Sequence, residues 1–70
     1  MKIEIIDVDY QVDQEIPTLR DCGFRVGDIV EVIGYYDDGD ISIPAIRETE
    51  FANIGDEISI CEHEYRGVEK

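Results

Sequence analysis

Seventy residues carry eighteen acidic side chains, six basic ones and a formal net charge of −12, enough chain for one domain but not for a deep core. A chain this short buries only about 60% of the surface its unfolded form exposes. Such a charge excludes direct binding to nucleic acid or to an anionic membrane, since both need Lys and Arg to neutralise phosphate. No Lys or Arg lies between Ile3 and Leu19, and between Val26 and Glu64 only Arg47 does, so the complementary partner is a basic one.

Twelve isoleucines and six valines against one leucine and two alanines favour strands, because β-branched side chains fit a pleated surface better than a helix. High charge is also a mark of disorder, but the hydrophobic content of 43% and the alternation along the chain argue for a folded domain. Cys22 and Cys61 read as reduced cytosolic thiols, since no basic start followed by an apolar run opens the chain. No stretch has the length to span a membrane.

The first element is a strand. Ile3 and Ile5, then Ile6, Val8 and Tyr10, form two alternating sets whose phase slips at Ile5-Ile6, which predicts a bulge. Glu4, Asp7 and Asp9 then face solvent. Residues 11–24 follow neither period and read as a long loop, with a single helical turn from Pro17 to the stop at Gly23.

Gly27-Asp28, Gly39-Asp40 and Gly55-Asp56 each precede an alternating run, so each glycine is expected to supply a turn that launches a strand. Between Ile29 and Arg47 a two-residue type I′ turn at Asp38-Gly39 would set Tyr36 opposite Ile41, Gly34 opposite Ile43 and Val32 opposite Ala45. This register makes Tyr36 core, leaves Tyr35 outward beside Ser42, and places Asp37 across from Asp40, a like-charge pair that destabilises a ladder. Pro44 lacks a ladder donor, so its amide position must face outward or lie on an edge.

Residues 48–54 suggest a second helical turn packing Phe51, and a last strand from Glu57 to about Tyr65 is expected to bury Ile58 and Ile60, with the tail fraying after about residue 66. Together these elements predict one mainly β domain over residues 1–70: a small curled antiparallel sheet or partly open SH3-like barrel of four to five strands with one or two short helical turns.

Catalysis calls for a nucleophile with a base, or for paired carboxylates in a pocket; with a single histidine, His63, and no predicted partner for either cysteine, no catalytic site and no cofactor are expected. Cys61 and His63 would share a strand face, but zinc normally draws on four well-spaced ligands. Asp37-Asp38-Gly39-Asp40 lacks the alternate oxygen spacing and distant glutamate of a calcium loop. Asp7 with Asp9, and Glu62 with Glu64, would instead form rows of carboxylates about 6.6 to 6.8 Å apart along strands, spacing that can occupy the lysines and arginines that otherwise hold DNA phosphates.

In length, strand-rich pattern and acidic runs the chain resembles the small acidic DNA-mimic proteins of lytic bacteriophages, and within them the phage inhibitors of the bacterial histone-like nucleoid protein HU. The resemblance implies a non-enzymatic inhibitor in the host bacterial cytoplasm, associated with the nucleoid through its partner, that occupies the DNA-binding surface of HU and displaces DNA. The residues expected to contact the partner are Asp7, Asp9, Tyr35, Asp37, Asp38, Asp40, Glu62 and Glu64. The alternatives are an SH3-like adaptor or inhibitor docking on another host protein such as RNA polymerase, and a mimic aimed at a restriction enzyme or repair glycosylase. An exposed edge strand could also pair two copies unless its acids forbid it.

Overall fold

The alternating segments form six short strands among the described residues: β1 (Lys2–Ile5), β2 (Ile29–Glu31), β3 (Gly34–Tyr35), β4 (Ile41–Pro44), β5 (Glu57–Ile60) and β6 (Tyr65–Gly67). A computed structural model describes residues 1–11 and 14–68. Val12 and Asp13 of the expected long loop, and Glu69 and Lys70 of the expected tail, lie outside the described residues. All strand pairs are antiparallel, in two three-stranded sheets ordered β2-β1-β6 and β3-β4-β5. The fold is therefore mainly β, as the composition predicts, and it is not a closed barrel.

Six strands replace the expected four or five because two long runs change sheets midway. The run from Ile29 leaves β1 after Glu31 and joins β4 at Gly34. The run from Glu57 is interrupted at Cys61–Glu64, where the Glu64 amide donates to the Cys61 carbonyl at 3.0 Å and the Cys61 amide to Glu64 Oε1 at 2.9 Å. The chain then returns along β1 as β6, and the Val68 amide reaches the Lys2 carbonyl at 3.1 Å, so pairing runs past residue 66.

One apolar cluster joins both sheets, with Ile3, Ile5, Phe24, Ile43 and Ile60 at 2% exposure or less. Burying each such side chain is worth about 1.5 to 3 kcal/mol, which is how so small a chain carries so large a charge. The Cα radius of gyration is 11.1 Å, matching the roughly 11 Å of a folded domain of this length.

The bulge falls where the phase slip predicts. The amides of Ile6 and Asp7 both donate to the Glu64 carbonyl, at 2.9 and 3.4 Å, so two residues oppose one. Ile6 turns outward and Val8 inward.

Two of the glycine turns are built alike. In Arg25–Asp28 and Asn53–Asp56 the aspartate amide donates to the first residue's carbonyl, at 3.1 and 2.9 Å, and the aspartate Oδ2 accepts that residue's amide, at 2.8 and 2.9 Å. Each turn also exchanges a pair of bonds with the end of the neighbouring strand. Gly27 donates to Ile5 and Ile5 to Asp28, while Gly55 donates to Ala45 and Ala45 to Asp56. The third turn position sits at φ +98° in Gly27 and +95° in Gly55, a region that a side chain makes costly. The pairs β1–β2 and β4–β5 are thus two copies of one device. Because Ala45 donates toward β5, the amide position of Pro44 points the other way, past the end of β3, which meets the constraint read from the proline.

The hairpin between β3 and β4 differs from expectation by one residue. Gly34 pairs with Ser42 and Tyr35 with Ile41, and the Tyr36 amide donates to the Asp40 carbonyl at 2.9 Å. Asp37, Asp38 and Gly39 therefore form a three-residue loop. A two-residue type I′ turn needs positive φ at both central residues, and among the described residues only glycines have it, Gly39 at +96°. Asp37 therefore does not face Asp40. Since a slip of one residue exchanges the faces of a strand, Tyr36 is exposed, not core, and it is Tyr36, not Tyr35, that lies beside Ser42.

Neither expected helical turn becomes a helix. Residues 18–23 form one turn closed at both ends: Thr18 and Asp21 exchange side-chain bonds with each other's amides at 3.3 and 3.2 Å, and after Gly23 the Phe24 amide returns to the Leu19 carbonyl at 3.0 Å. Leu19 and Phe24 carry this turn into the core. Around Thr49–Ala52 the Thr49 hydroxyl caps the amides of Phe51 and Ala52 at 3.2 Å each. Ala52 is buried and Phe51 stays 54% exposed, contrary to the expectation that it packs inward.

Candidate partner-binding face

The hairpin tip and the Cys61–Glu64 turn lie side by side, because the Tyr65 hydroxyl reaches back from β6 to donate to the Gly39 carbonyl at 3.3 Å. This brings Asp40, Glu62 and the exposed Tyr35 within electrostatic reach of Tyr65, and Asp40 within reach of Glu64, with Asp37 and Asp38 in the adjoining exposed hairpin loop. The charges sense one another. Burial pushes the Glu64 carboxyl above its usual range and the charges of Asp7 and Asp40 push it the same way, against the opposing bonds from the Cys61 amide and thiol. Burial and the charges of Glu62 and Asp40 likewise raise the Tyr65 phenol, and burial raises the Cys61 thiol.

Four ion pairs are present among the described residues, and none involves these acids: the N-terminus with Glu31, Arg20 with Asp9, Arg47 with Asp28, and Arg66 with Glu4. The eight expected contact residues therefore divide. Asp37, Asp38, Asp40 and Glu62 lie on the unpaired face with Tyr35, and Asp7 is close enough to act on Glu64. Asp9 stands apart, because Arg20 grips both its oxygens at 2.8 and 2.9 Å and holds its carboxyl below the usual range.

Neither predicted carboxylate row forms. β1 ends at Ile5, and the Asp7 side chain folds onto the Asp9 amide at 2.9 Å, so Asp7 and Asp9 do not alternate along a strand. Glu62 and Glu64 sit in a turn, with Glu62 exposed and Glu64 only 7% exposed. The same turn removes the shared strand face of Cys61 and His63. His63 packs on Tyr10 with ring centroids 5.3 Å apart, Cys61 is a free thiol, and no group of three or more candidate metal ligands occurs among the described residues.

Two features escape alternation-based reading. On the outer face of β3-β4-β5 the Ser42 hydroxyl donates to Glu57 Oε2 at 2.5 Å and the Tyr36 hydroxyl lies 2.8 Å from Ser42 Oγ and 3.1 Å from the same carboxylate. These bonds hold the Glu57 carboxyl below its usual range, and Ser42, with no exposed surface, is satisfied by them. The second feature is a groove of about 360 Å³ between the loop after Tyr10, Phe51 and the free edge of β5, with Asp40 and Glu64 among its lining. Its one sequence signal is the presence of Ile16 and Phe51, large apolar residues in segments with no strand period.

No family model, curated protein or solved structure matches the chain.

Proposed function

We propose that this protein is an acidic DNA mimic, a binding protein and not an enzyme, that occludes the DNA-binding surface of a basic host protein, with the nucleoid protein HU as the first target. The observation that carries the reading is the face of Asp37, Asp38, Asp40 and Glu62, which has no cation paired to it among the described residues. Leaving these charges bare costs stability through self-repulsion, a cost that a basic partner removes.

Magnitude sets what the face must do. A competitor for a chromosome's excess of non-specific sites has to reach roughly nanomolar affinity, about −12 kcal/mol. Exposed ion pairs contribute only about 0.2 to 1 kcal/mol each, so apolar or tyrosyl contacts such as Tyr35 must assist them. The test is displacement of HU from a DNA duplex at two salt concentrations. Mimicry requires displacement that fades as salt rises; none at concentrations well above micromolar removes HU as the target.

A second reading, docking on a folded partner through apolar contact, is favoured by the exposure of Val26 at 64%, Ile54 at 66% and Phe51 at 54%. It predicts binding that neither competes with DNA nor weakens with salt.

A further inference from the structure

The groove along β5 has two kinds of lining. Ile16, Pro17, Phe51 and Ile58 supply apolar wall over the buried Ile60, while Glu64, Asp40 and Glu57 supply carboxylates, of which Glu57 is already bonded by Ser42 and Tyr36. Glu64 is the buried member; its Oε1 is held by the Cys61 amide, and the Cys61 thiol bonds the same carboxylate. No Lys or Arg among the described residues lines the groove. A buried carboxylate without a counter-charge is costly, and here the neighbouring acids Asp7 and Asp40 add to the cost.

Resting on the basic partner proposed above, we propose that the groove receives one lysine side chain from that partner, its methylene stem along Ile16, Ile58 and Phe51 and its ammonium at Glu64 and Asp40. The choice of cation follows from the carboxylate. Guanidinium pairs best with two free oxygens in a planar fork, whereas an ammonium is a point charge with three rotatable donors. With the Cys61 amide and thiol both on this carboxylate, no open two-oxygen fork is left, and lysine can take a single remaining lone pair of Glu64 and turn another donor to Asp40. A long apolar stem with a charged end is also what a hydrophobic wall leading to a carboxylate accommodates.

The experiment is an NMR titration of the full chain, labelled at isoleucine methyls, with a hexalysine peptide at low salt. The parent protein is compared with Phe51→Ala, Glu64→Gln and the tip variant Asp37→Asn/Asp38→Asn. Phe51 is half exposed, and the amide side chain introduced by Glu64→Gln retains an acceptor for the Cys61 amide, so each variant keeps its fold, which its amide spectrum checks. The expected result is contact between lysine methylenes and the methyls of Ile16 and Ile58, with affinity reduced roughly tenfold by Glu64→Gln and several-fold by Phe51→Ala.

Binding that responds to the tip variant but to neither groove variant, with no methyl contacts, overturns the groove while leaving the acidic face as the binding surface. Sensitivity to Phe51→Ala without sensitivity to Glu64→Gln overturns lysine as the occupant in favour of an apolar one. No binding at all overturns both the groove and the reading on which it rests.

Discussion

The molecule has a braced end and a bare one. At the braced end Arg47 bonds the Gly23 carbonyl at 2.7 Å and both oxygens of Asp28 at 2.7 and 3.2 Å, and Asp28 also takes the Arg25 amide at 2.8 Å. Arg20 closes on Asp9 nearby, and Arg20, Arg25 and Arg47 surround a single pocket. At the bare end Asp37, Asp38, Asp40, Glu62 and Glu64 have no cation among the described residues. With so few basic residues, this distribution puts arginine where it ties the long loop to the core and leaves the hairpin tip without any. The same residue type, aspartate, is structural where it is gripped and available where it is not.

The strongest way to break this contrast is at Asp28. Asp28→Ala leaves the Arg25 amide without its acceptor and the Arg47 guanidinium with the Gly23 carbonyl alone. Hydrogen bonds to charged groups contribute about 1.5 to 3 kcal/mol, and partial exposure trims this, so the expected loss is about 2 kcal/mol and a fall in Tm of roughly 10 °C. Affinity for the basic partner should not change while the protein remains folded. The Arg47 contact holds the Asp28 carboxyl below its usual range, so its contribution is present above the unfolded carboxyl's pKa and disappears as pH falls through the folded value. A denaturation series of both proteins from neutral to acid should therefore converge, and a constant gap would dissociate the loss from the ion pair.

The reciprocal change is at the tip. Asp37→Lys with Asp38→Lys replaces attraction by repulsion at exposed positions, with an expected affinity loss of roughly tenfold, about 1.4 kcal/mol, and only the small loss of Tm that follows from removing Asp38 Oδ1 as acceptor of the Asp40 amide. Competition against a DNA duplex at two salt concentrations measures it. Unchanged affinity would shift the contact surface away from the hairpin.

How the two ends differ in legibility has a physical cause. Alternation of Ile and Val marks the strands, the Ile5-Ile6 phase slip marks the bulge, and Gly-Asp marks the turns, because each is a local rule with one outcome. The hairpin register departs from expectation by one residue because Asp38-Gly39 suits a two-residue loop and a three-residue loop about equally as composition, and only the sign of φ at Asp38 separates them. Glu64 is illegible for a different reason. The Cys61–Glu64 turn contains no glycine or proline, so nothing in the run Glu57 to Tyr65 announces that alternation stops and that Glu64 turns inward. Asp9 and Arg20, eleven positions apart, are joined only by tertiary folding.

Glu64 gives a smaller and oppositely signed effect. Burial raises its carboxyl, so the folded state holds the proton more tightly than the unfolded one. Its favourable contribution is complete below the unfolded carboxyl's pKa and is lost as pH rises through the folded value. Glu64→Gln keeps the acceptor for Cys61 and removes the buried charge, so at neutral pH the variant should melt a few degrees higher than the parent, the difference vanishing toward acid. A lower Tm at neutral pH would mean that the ionised Glu64 stabilises the fold, and its proposed availability to a partner's lysine would fall with that result.

The smallest effect should come from converting part of the braced end into bare surface. Arg20→Ala frees both oxygens of Asp9, and because the pair is exposed on both sides, at 65% and 67%, the fold should lose little. Removing one of the few cations makes the protein more acidic and adds an ungripped carboxylate on the Val8–Tyr10 segment, next to the Asp7 that acts on Glu64. If the acidic face extends to this segment, affinity for the basic partner should rise about twofold at low salt and the gain should disappear at high salt. If affinity is unchanged at both salts, Asp9 lies outside the contact and the face is confined to the hairpin tip and the Cys61–Glu64 turn. A decrease would mean that Arg20 orders the loop the partner touches, placing the braced end within the interface and removing the contrast between the two ends as the basis of recognition.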